Sequence, residues 1–95
     1  KVCKKKYGSV CGKIAHNLAW EFYLCKNYLI AWRLYGDLAK EYSEIENVLS
    51  DYGCVYYKLK NYEKALESCD IAIRINPKDL EASNFNLANA IYKKN

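Results

Sequence analysis

At 95 residues the chain can form one small domain, with a core near the lower end of what folds unaided. Hydrophobic residues make up 52%, which excludes intrinsic disorder, and only 4 glycines and 1 proline argue against a turn-rich β fold and for helices. The net charge of +4 is local: Lys1, Lys4, Lys5, Lys6 and Lys13 stand among residues 1–13 with no acid, and without those five the chain carries −1. A basic tail on a near-neutral body supplies no basic stripe of the kind a nucleic-acid groove needs.

Taken in chain order, residues 1–11 read as a basic tail or the remnant of a preceding segment, and the first helical pattern covers 13–25. A second helix is predicted over 28–42. The apolar run spanning both, from Leu18 to Tyr35, contains Glu21, Lys26 and Arg33, which makes it too costly for a membrane span and assigns it to a core. Ser43 and Glu46 have capping-box spacing ahead of a third helix over 46–58. There Ile45, Val48, Leu49, Tyr52, Val55, Tyr56 and Leu59 recur at three and four and mark one face. Asn61 is placed to cap a fourth helix over 62–75, whose face is Tyr62, Ala65, Leu66, Cys69, Ala72 and Ile73. Asn76-Pro77 ends that helix, and Asp79 can cap a fifth over 80–93.

The chain repeats itself. The triplet Lys-Asn-Tyr begins at Lys26 and again at Lys60, a lag of 34, and the same lag pairs Tyr23 with Tyr57 and Ala31 with Ala65. A third copy follows at a lag of 35, where Asn86-Leu87-Ala88 parallels Asp51-Tyr52-Gly53. Three units result, over 12–45, 46–79 and 80–95, the last holding only a first helix and so read as truncated. Ala19, Gly53 and Ala88 are small where two helices of a hairpin must approach; Ala31 and Ala65 match them on the second helix. Phe22, Tyr28, Tyr35, Tyr56 and Tyr62 are large enough to fill the layer between hairpins.

Catalytic candidates are few. His16 is the only histidine, and no nucleophile elbow, phosphate loop or HExxH accompanies it. The five cysteines, Cys3, Cys11, Cys25, Cys54 and Cys69, include no CxxC-like pair, so no metal site is predicted. With no secretory signal, the expected state is reduced thiols in an intracellular, cytoplasmic setting.

A 34-residue helix–turn–helix with this pattern resembles the tetratricopeptide repeat. The second unit carries the resemblance as Leu49, Tyr52, Gly53, Tyr56, Ala65, Cys69, Ala72 and Pro77. The first is more diverged, with Ala15, Leu18, Ala19, Phe22, Ala31, Tyr35 and Leu38, and has Ser43 where proline is expected; the third shows Leu87, Ala88 and Ile91. The resemblance implies an all-α fold of tandem helix–turn–helix repeats wound into a right-handed superhelical solenoid segment. It also implies a protein–protein interaction scaffold or adaptor, without catalysis, cofactor or metal, that holds a peptide or partner helix on its concave face. The alternative is an RNA-binding helical-hairpin module, which the near-neutral body disfavours.

Within that resemblance Asn17, Asp51 and Asn86 form the column that would meet a peptide main chain, because a carboxamide brackets an N–H and a C=O together. Trp20, Tyr23, Tyr57, Asn89 and Tyr92 lie nearby on the same helices and would supply side-chain pockets. The family's chaperone-tail clamps, which grip a C-terminal carboxylate, are not matched. The aligned residues here are His16, Trp20, Asp51, Ala82 and Asn86, and Asp51 would repel that carboxylate.

Overall fold

A computed structural model describes residues 9–45, 47–79, 82–84 and 87–88. Four helices form its frame: α1 (Ser9–Leu24), α2 (Tyr28–Glu41), α3 (Val48–Lys58) and α4 (Tyr62–Ile75). Each packs on its chain neighbour, and α1 also reaches α3. The described residues contain no strand, so the fold is an all-α helical repeat. Most of the predicted fifth helix lies outside the described residues, as do Lys1–Lys6.

The repeated Lys-Asn-Tyr phrase is the hinge of each hairpin. Lys26 and Lys60 both adopt the left-handed conformation, each with φ of 65°. In the first hinge the N–H of Lys26 donates to the carbonyl of Tyr23 at 3.0 Å and that of Asn27 to Phe22 at 2.9 Å. In the second, Lys60 donates to Tyr57 and Asn61 to Tyr56, both at 2.9 Å. These paired bonds are the Schellman closure, which satisfies the last carbonyls of a helix that would otherwise lack partners. The tyrosine then locks the corner. Tyr28 meets Tyr23 edge-on at 5.5 Å and 60°, and Tyr62 meets Tyr57 at 5.4 Å and 60°. One phrase thus ends a helix, turns the chain and folds the next helix back.

The predicted caps divide. Asn61 accepts from the N–H of Lys64 at 3.3 Å, and Asp79 accepts from that of Ala82 at 3.0 Å, both as expected. Asn27, in the same place in the first unit, makes no side-chain cap bond. Ser43 lies in the turn before α3, which starts two residues later than predicted, and Asn47 precedes it with φ of 71°. The hydroxyl of Ser50 reaches back to the Asn47 carbonyl at 3.2 Å. The helix that begins at Ser9 takes in residues 9–11, which the composition assigned to the tail.

Burial follows the layers. One cluster joins Ala19, Ala31, Tyr35, Leu38, Tyr42, Val48 and Val55 across α1, α2 and α3. A second joins Leu49, Cys69, Ala72 and Ala82 across α3, α4 and the segment after it. Tyr35 is fully buried at the junction of the hairpins and stacks on Tyr52, with ring centroids 6.3 Å apart. Within the second hairpin the Ser68 hydroxyl donates to the Leu49 carbonyl at 2.7 Å, which provides a buried polar tie between α3 and α4.

Two glycines set how closely helices meet. A Cβ on Gly53 would lie 2.5 Å from the Cys69 sulfur and 3.2 Å from the Ala65 carbonyl oxygen. One on Gly12 would lie 2.4 Å from the Tyr42 ring, so its absence lets the end of α2 settle on α1. The thiols differ from expectation at one position. Cys11 is disulfide-bonded, whereas Cys25, Cys54 and Cys69 remain thiols. A bridge needs Cα atoms within about 7 Å of each other, a condition that sequence spacing does not reveal.

Two stability predictions follow from this geometry. Gly53→Val should cost about 1–3 kcal/mol by overpacking, and adding Cys69→Ala should return part of it. Urea denaturation of the single and double variants measures both. Lys60→Gly should raise stability by about 0.5 kcal/mol or more, since the left-handed conformation costs a lysine about 1–2 kcal/mol and glycine's extra chain entropy offsets only part of that. Lys58→Gly, two residues earlier inside α3, should instead lower it by about 1 kcal/mol.

Candidate functional site

Among the described residues, the site residues expected from the sequence lie on the first helices of the two hairpins, α1 and α3. Helical periodicity places Asn17 and Asp51 at the same register on these helices, with Trp20 and Tyr23 one turn and two turns further along α1. Asn17 is exposed, and Trp20, Tyr23 and Tyr57 are half-buried. Trp20 and Tyr23 stack face to face, with centroids 4.5 Å apart and an interplanar angle of 12°. Tyr23 is braced from behind by Tyr28, and Tyr57 by Tyr62, through the hinge contacts described above.

Asp51 behaves differently from Asn17. It is buried, and its Oδ2 lies 2.9 Å from Nε2 of His16, across the seam between α1 and α3. A carboxylate can only accept, so Nε2–H is the donor and the tautomer is set by the contact. The ring of His16 also meets Tyr35 at 5.4 Å in an edge arrangement. The carboxylate and the aromatic ring hold the imidazole in place. This pair joins the first repeat to the second, and periodicity alone did not find it, because it links residues 35 apart, one step off the 34-residue register. His16 being the sole histidine was the available signal.

Asn86, Asn89 and Tyr92 lie outside the described residues. The structure therefore brings Trp20 and Tyr23 into contact and ties Asp51 to His16, and the third-unit part of the column stays an extrapolation of the repeat. No group of three or more His, Cys, Asp or Glu side chains among the described residues is arranged to hold a metal. No helix among them is long and apolar enough to cross a membrane.

The second helices α2 and α4 flank a groove of about 330 Å³ floored by Leu49, Tyr52 and Tyr56. The two phenol oxygens are 2.9 Å apart and share a hydrogen bond. Burial, then that bond and the charges of Tyr56 and Asp37, push the Tyr52 phenol well above its ordinary value, so it stays protonated and serves as a neutral hydrogen-bonding group.

Comparison with known proteins adds one finding. The family model for the tetratricopeptide repeat matches residues 53–79, from Gly53 through both hinge residues Lys60 and Asn61 to the turn after Pro77. No curated protein and no solved structure matches the chain. Repeats of this family generally act as protein–protein interaction modules. The matched stretch contains the small residue at the helix contact, the hinge and the terminating proline in the order the helices require. The chain carries a repeat of the tetratricopeptide family.

Proposed function

We propose that this chain is a non-catalytic interaction module that holds an extended peptide or a partner helix along the wall formed by α1 and α3. The observation that supports it is the aromatic platform: Trp20 stacked on Tyr23, with Tyr57 one repeat along, each half-buried and the two tyrosines braced from behind. Exposed Asn17 sits beside the platform and can bracket a peptide N–H and C=O. Asp51, bonded to His16, contributes by fixing how the first repeat meets the second. In a right-handed superhelix this wall would be the concave face, and Asn86, Asn89 and Tyr92 would extend it onto the third unit. Packed helices lie about 8–10 Å apart, and an extended peptide rises about 3.3 Å per residue, so each repeat would meet about every third ligand residue.

Peptides selected from a random display library against the chain test this reading. Asn17→Ala and Asn86→Ala should each weaken a selected peptide by about 0.5–1.5 kcal/mol in calorimetry, with the circular dichroism spectrum unchanged. Binding should also alter Trp20 fluorescence. Unchanged affinity in the double variant would show that the column is only surface. A gel shift with single-stranded RNA at physiological salt, in place of peptide binding, would support the RNA reading instead. An acidic peptide ending in EEVD should show no calorimetric signal, because Asp51 stands where a clamp needs a donor; micromolar binding would refute this.

A further inference from the structure

We draw no further inference here: the strongest candidate, the groove between α2 and α4 floored by Leu49, Tyr52 and Tyr56, carries nothing because nothing in the structure shows what covers it.

Discussion

The close approach of two helices at a column of small residues is the constraint on which the rest of this structure depends. Gly53 against Cys69 and Ala65 in the second hairpin, and fully buried Ala19 and Ala31 in the first, let the helices of each pair meet backbone to backbone. With the small residues spent inside the hairpin, the large ones point outward to the next unit. Tyr35, Leu38 and Tyr42 fill the interface with α3, and burying a side chain of that size contributes about 1.5–3 kcal/mol. The apolar core is consequently divided into layers, and stability builds up one interface at a time.

That organisation explains why the fold was legible in the sequence. Hinge and helix contact recur at fixed places, so the lag of 34 locates both together. Four helices fall close to their predicted limits because Lys26-Asn27-Tyr28 and Lys60-Asn61-Tyr62 carry both the stop and the restart. What the sequence concealed is what breaks the repeat. Asn27 and Asn61 are identical in sequence and sit in nearly the same backbone geometry, yet only Asn61 caps through its side chain. Asn47 takes a left-handed conformation in the turn between hairpins, where a composition reading saw only a capping box. Gly12, a residue with no evident column, proves to be where Tyr42 rests.

The candidate site was half legible for a related reason. Residues in register on α1 and α3 were read as one wall, and of them Asn17 is exposed while Trp20, Tyr23 and Tyr57 are half-buried. Register does not say whether a polar residue turns toward solvent or toward its neighbour helix. Asn17 is exposed while Asp51, its equivalent, is buried on His16, because the first unit has helix α1 beside α3 and has no described helix in the corresponding place beside α1. The same asymmetry leaves Ile14 exposed and Val48 covered.

The energies of the two links between the hairpins differ in kind. The part-buried hydrogen bond between His16 and Asp51 adds a net contribution of about 1.5–3 kcal/mol at most, whereas Tyr35, Leu38 and Val48 together bury several times that worth of apolar surface. Packing therefore decides that the hairpins associate. It is tolerant of small sliding, because apolar contact has no direction. The hydrogen bond is directional and joins one atom of α1 to one of α3, and a small slide of one helix past the other would leave a buried carboxylate without its donor, which is costly. The pair thus sets register rather than affinity between repeats.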